Sequence, residues 1–128
     1  MSQTYNEEAF RYFLGVERRR SERAQTSFLL LLVSVRKEPG VSTRMLPVVA
    51  AGIFSGLWQS VREADFVGWF RDERVAGAVL TQGPHKPTDD VVAIISRRII
   101  ETLAEHVPSD VAGRLQVRVL ELRSRQER

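Results

Sequence analysis

The stretch READFVGWFRDERVAGAVL, Arg62 to Leu80, decides the fold. Asp65-Phe66-Val67-Gly68-Trp69-Phe70 is aromatic and apolar, Arg71-Asp72-Glu73-Arg74 is a polar break, and Val75-Ala76-Gly77-Ala78-Val79-Leu80 is apolar again. Two strand-length apolar runs separated by a short charged break read as a β-hairpin.

Upstream, Ser27 to Val35 is an almost unbroken apolar run, and its short length predicts a central strand buried on both faces. Arg36-Lys37-Glu38-Pro39-Gly40 ends it with turn chemistry. Between that break and the hairpin, Leu46, Val49, Ala50, Ile53, Phe54, Leu57, Trp58 and Val61 recur at steps of three and four. That spacing predicts an amphipathic helix, with Ser42 or Thr43 as its cap and Pro47 in its first turn. Gly52 and Gly56 lie one turn apart on it, as a site of tight packing within the chain or as a seam between two copies. A first helix is predicted to run to about Ala24, started by the capping-box spacing Thr4-x-x-Glu7 or by Asn6.

Downstream, Gln82 to Pro87 reads as a loop that holds the solvent-exposed His85. Thr88 is the expected cap of a third helix, which Asp89 and Asp90 begin and which ends near Val107, before Pro108. Gly113 to Leu122 reads as a last strand, with Leu115, Val117 and Val119 alternating against Gln116 and Arg118. The order is a leading helix followed by β-α-β-β-α-β. This predicts an α+β, ferredoxin-like domain: a four-stranded antiparallel sheet with two helices on one face and the leading helix outside that core. Residues 1–122 form one domain, and 123–128 a basic tail.

Composition narrows the chemistry. The 128 residues contain no cysteine, which removes disulfides, thiolate metal sites and thiol catalysis, and suits a cytoplasmic location. His85 and His106 are the whole histidine supply, too few for a histidine-rich metal centre. No run approaches membrane-spanning length, and the N-terminus does not read as a secretory signal. The net charge is +3, with arginines gathered at Arg18-Arg19-Arg20, Arg97-Arg98 and the tail; such runs are expected on solvated faces.

The hairpin, its flanks and their order resemble the GGDEF (diguanylate cyclase) domains of the nucleotide cyclase-like superfamily. There a strand of the form R-x-x-D-x-hydrophobic, ending in an aromatic residue, runs into Gly-Gly-Asp-Glu-Phe and a second apolar strand. The resemblance extends over nearly the whole chain: Phe10 to Ala24 is similar to the family's leading helix, Ser27 to Val35 to its first strand, Asp65 to Leu80 to its hairpin, and Thr88 to Val107 to the helix behind. The resemblance implies a divalent metal held by carboxylates at the end of the first strand and in the hairpin turn, with glycines letting the backbone approach a nucleotide. This chain departs from the pattern. Val33 and Val35 stand at the first-strand metal positions, and Arg71-Asp72-Glu73-Arg74-Val75 replaces the signature turn. Asp72 and Glu73 match the family's acidic pair only after a shift of one residue. The family's Asn-Asp nucleotide contact is also missing, leaving Arg36 and Lys37 as candidate phosphate contacts. Arg62-Glu63-Ala64-Asp65 has inhibitory-site spacing but matches the family's residues at the start of the strand, and Asp65 is read as a structural turn carboxylate.

No P-loop, GxSxG or His-x-x-x-His motif is present, and Ser34 has no nearby histidine. Trp58 and Trp69 read as core. The expectation is a catalytically inactive GGDEF-like domain without metal or cofactor, serving regulation or protein interaction in bacterial signalling, with a protein partner or a second copy bound. Two alternatives stand beside it. One is a sensor of GTP or cyclic di-GMP without turnover. The other is a nucleic-acid-binding ferredoxin-like domain, disfavoured because the strand Val75 to Leu80 has no aromatic.

Overall fold

The computed structural model describes residues 3–38, 41–62, 65–81 and 89–123. The elements in chain order are β1 (Thr4–Tyr5), α1 (Glu7–Ala24), β2 (Ser27–Glu38), β3 (Val41–Ser42), α2 (Pro47–Ser60), β4 (Phe66–Arg71), β5 (Val75–Thr81), α3 (Asp89–Ala104), α4 (Ser109–Ala112) and β6 (Leu115–Arg123). Thr88, His85, their loop and residues 124–128 of the tail lie outside the described residues.

The four long strands stand in the order β4-β5-β2-β6, with every neighbouring pair antiparallel. This is the ferredoxin-like arrangement expected from the pattern, enlarged by two short strands. β1 pairs parallel with β4 through Thr4↔Val67 and Tyr5↔Gly68, and β3 pairs with the far end of β2. The sheet is therefore mixed rather than purely antiparallel. Two residues are too few to carry a period, so no pattern announced either short strand.

β2 is central because both of its faces are apolar. Leu29, Leu31, Val33 and Val35 point to one side, into the core built with Ile53 and Leu57 of α2 and Ile99 and Leu103 of α3. Phe28 and Leu30 point to the other side, where Phe10 and Leu14 of α1 complete a smaller core with Val79. Helices thus lie on both faces of the sheet. Burying each of these large side chains contributes about 1.5–3 kcal/mol before entropy is counted. Phe10 is fully buried because Gly68 and Gly77 face each other across the hairpin: a Cβ at Gly77 would lie 2.8 Å from the Phe10 ring, and one at Gly68 2.6 Å from the Tyr5 carbonyl oxygen.

Of the two candidate caps of α1 the second is realised, and the expected cap of α2 is corrected. α1 is capped by Asn6, whose Oδ1 accepts the Ala9 N–H at 2.8 Å; Thr4 lies in β1, and its Oγ1 accepts the Trp58 indole N–H at 3.3 Å. α2 begins at Pro47, after Leu46, without a side-chain cap. Ser42 belongs to β3, and the Thr43 hydroxyl donates to the Arg44 carbonyl instead. Proline lacks one of the amide donors that a cap would satisfy. α3 stops at Ala104, three residues early, where Glu105 and His106 turn back on the Thr102 and Leu103 carbonyls. α4 and a turn then delay the last strand to Leu115. Gly52 and Gly56 resolve in favour of packing within the chain. A Cβ at Gly52 would lie 2.0 Å from the His106 carbonyl oxygen and one at Gly56 2.7 Å from Leu103, so this face of α2 is already occupied by the end of α3.

Candidate functional site

The register places Val33, midway along β2, beside the hairpin turn. Val33 pairs with Ala76, one residue past Val75, and with Val117 on its other side. Arg71, Asp72, Glu73 and Arg74 are all exposed, and the turn is closed by the Arg74 N–H donating to the Arg71 carbonyl at 3.0 Å. Glu73 adopts φ 62°, a left-handed conformation that costs a residue with a Cβ roughly 1–2 kcal/mol.

This turn is braced from two sides. From α1, the Glu7 carboxylate accepts the Asp72 N–H at 2.7 Å and pairs with Arg11 at 3.3 Å. Arg11 in turn donates to the Phe70 carbonyl at 3.1 Å and lies 4.4 Å above the Phe70 ring. From the approach to α2, the Met45 N–H donates to the Glu73 carbonyl at 2.7 Å and Arg44 pairs with the Glu73 carboxylate at 3.0 Å. Neither brace was legible beforehand; the i,i+4 spacing of Glu7 and Arg11 hinted at a pair but not at its target.

The two valines fill the space beside the turn. Val33 is 0% exposed and Val35 5%, both inside the core with Met45 and Val49. A hard divalent cation takes six or more oxygen ligands. Valines supply none, and the nearby Glu73 carboxylate is held by Arg44. Among the described residues, no three His, Cys, Asp or Glu side chains gather as a metal site. The residues present do not fit the metal that the resemblance implies. Between the turn and the start of α2 lies a largely apolar cavity of about 640 Å³, walled by Met45, Leu46, Pro47, Phe54 and Trp69, with Asp72, Glu73 and Arg44 at its edge. Arg36 and Lys37 are exposed at the end of β2 but do not line it. Arg36 instead donates its N–H to the carbonyl of Arg114, the residue before β6, at 3.0 Å, and its own carbonyl accepts from the Arg114 guanidinium at 3.4 Å.

A second cavity, of about 390 Å³, opens between the end of α2, the start of β4 and α3. Asp65 forms its floor with a side chain only 2% exposed. Its carboxylate accepts the Arg62 N–H at 2.8 Å, the Thr81 N–H at 3.0 Å and the Thr81 hydroxyl at 3.2 Å, which is a structural role. The guanidinium of Arg62 donates to the Thr81 carbonyl, and Arg98 of α3 faces the same cavity beside Gln59, Ser60 and Thr102. Sequence reasoning set Arg98 with Arg97 on a solvated face, because Arg62, which lines the same cavity, is far away in the chain. A third cavity, of about 340 Å³, lies on the α1 side of the sheet; Ser34 lines it with Arg71, Gln116 and Arg118, and no histidine is among its walls. Trp69 packs edge-on against Phe54 at 4.9 Å, and both tryptophans join the larger core as partly buried members. No described helix is long and apolar enough to cross a membrane.

The architecture is that of GGDEF domains. The chain superposes on a DGC protein from Thermotoga maritima with a TM-score of 0.67 at 16% identity, covering 94% of this chain and 81% of that one. It superposes on the FimX GGDEF domain from Pseudomonas aeruginosa with a TM-score of 0.69 at 12% identity, covering 98% and 79%. A GGDEF-only variant of TpbB, or YfiN, from Pseudomonas aeruginosa gives 0.65 at 15% identity, covering 94% and 72%. No protein-family model and no curated protein matches the sequence.

Proposed function

We propose that this chain is a catalytically inactive GGDEF-like domain that works as a regulatory or protein-interaction module in bacterial signalling, in the cytoplasm. One observation carries the reading: next to the signature turn, the positions that would need carboxylates are occupied by the buried, core-packed Val33 and Val35. The bracing of the turn supports it. The Asp72 amide, a donor of the kind that could meet a phosphate, is bonded to the chain's own Glu7, and Glu73 is bonded to Arg44. Incubating the purified protein with GTP and Mg²⁺ or Mn²⁺ and separating the products by chromatography is expected to yield no cyclic di-GMP. Product above the level of a protein-free control overturns the reading.

A second reading, nucleotide sensing without turnover, is favoured by the pair Arg62 and Arg98 at the second cavity. Both residues line one cavity, Arg62 with its guanidinium also bonded to the Thr81 carbonyl and paired with Asp65, and guanidinium groups suit phosphate oxygens. Calorimetry with GTP, ATP and cyclic di-GMP tests it. A binding isotherm that Arg98→Ala abolishes supports this reading, and flat traces with all three nucleotides remove it.

A further inference from the structure

We propose that the outer face of α3 is the seam of a homodimer, formed by an antiparallel pairing of this helix with itself about Ile94. α3 carries apolar residues on two sides. Ile99 and Leu103 face the core, whereas Val91 and Ile94 are 42% and 46% exposed. Asp90, Ile94 and Arg97 follow at steps of four and three, which places them on one stripe. Neither Asp90 nor Arg97 has an ion-pair partner among the described residues.

The order of charges along this stripe selects a second copy as the occupant. The acid lies one turn before Ile94 and the base one turn after it. A two-fold axis at Ile94 reverses that order in the partner, so Asp90 of each copy meets Arg97 of the other and the two isoleucines meet on the axis. A two-fold interface is self-complementary in this way. The competing helices are less suited. The glycine stripe of α2 is filled by the end of α3, and α1 already pairs two glutamates with its own arginines. A 16-residue helix is about 24 Å long, and one such contact buries less than the roughly 800 Å² per partner of a standard interface. The dimer is therefore concentration-dependent. The seam does not depend on whether the hairpin turn keeps any chemistry: a monomer that makes no cyclic di-GMP would break this proposal and leave the proposed function standing.

Sedimentation velocity over a protein concentration series provides the test, with circular dichroism confirming that each variant is folded. Wild type is expected to shift from monomer to dimer in the range of about 10–500 µM, and the two-fold axis makes each charge reversal act twice. Asp90→Arg or Arg97→Asp alone is expected to weaken the dimer about tenfold or more, and the double variant D90R/R97D to return it to near the wild-type value. Because the chain has no cysteine, I94C with a short bis-maleimide should give a cross-linked dimer, whereas V48C, on the exposed side of α2, should not. A monomer throughout the series overturns the proposal. So does a double variant no tighter than the single ones, or a dimer that I94E leaves intact.

Discussion

The two ends of the β4–β5 hairpin treat carboxylates in opposite ways. At the open end, Asp65 is buried and its oxygens accept three hydrogen bonds from Arg62 and Thr81, clasping the two strands together. At the turn, Asp72 and Glu73 are exposed, and the space beside them is closed by valines. The difference teaches that this fold keeps a buried acid where main-chain donors satisfy it, and fills with hydrocarbon the place where a cation would be needed to satisfy one.

The sharpest way to break this contrast is to put an acid where the valine is. Val33→Asp buries a carboxylate without partners and is expected to cost on the order of 4 kcal/mol. That is a large share of the roughly 5–15 kcal/mol that keeps a domain folded, and urea unfolding will read it. A near-neutral V33D variant would mean that the space by the turn admits water or a cation, and would reopen metal chemistry. Asp65→Ala follows at about 3 kcal/mol, because two N–H groups and a hydroxyl lose their acceptor; Thr81 should then exchange its amide hydrogen faster. Glu7→Ala removes the brace on the Asp72 N–H and is expected to cost about 1 kcal/mol, with faster exchange at Asp72 while the core amides are unchanged. The smallest effect is expected from Glu73→Gly. It relieves the left-handed strain but gives up an exposed ion pair worth under about 1 kcal/mol, so the net change should be a slight gain in stability, measured as a thermal shift.

Much of this architecture was legible because it is written in local patterns. The continuous apolar run of β2 announced burial on both faces, and the four-residue charged break placed the turn. The three-four spacing of α2 gave its inward face, although the helix starts later than the Ser42 and Thr43 signals suggested. What escaped was set by distant partners. The parallel pairing of β1 with β4 joins Thr4 to Val67, and the face on which α1 docks depends on two glycines that vacate space for Phe10. For the candidate site, the positions of Val33, Val35 and residues 71–75 followed from the resemblance. The Glu7 and Arg44 braces and the Arg62–Arg98 cavity emerge only when helices and strands are assembled.

The place of β2 in the sheet also bears on how the domain is reached. Its partners arrive at different times: β5 lies in the middle of the chain, and β6 comes last of all the elements. Until β6 arrives, one flank of the most apolar strand has unsatisfied amides and exposed leucines, a surface that invites pairing with a neighbouring chain. Closing that flank requires contacts of long sequence separation, which slow folding. The domain should accordingly fold on the millisecond-to-second scale of sheet-rich proteins rather than at helical-bundle speed, and should be vulnerable to aggregation during synthesis until its final strand has been made.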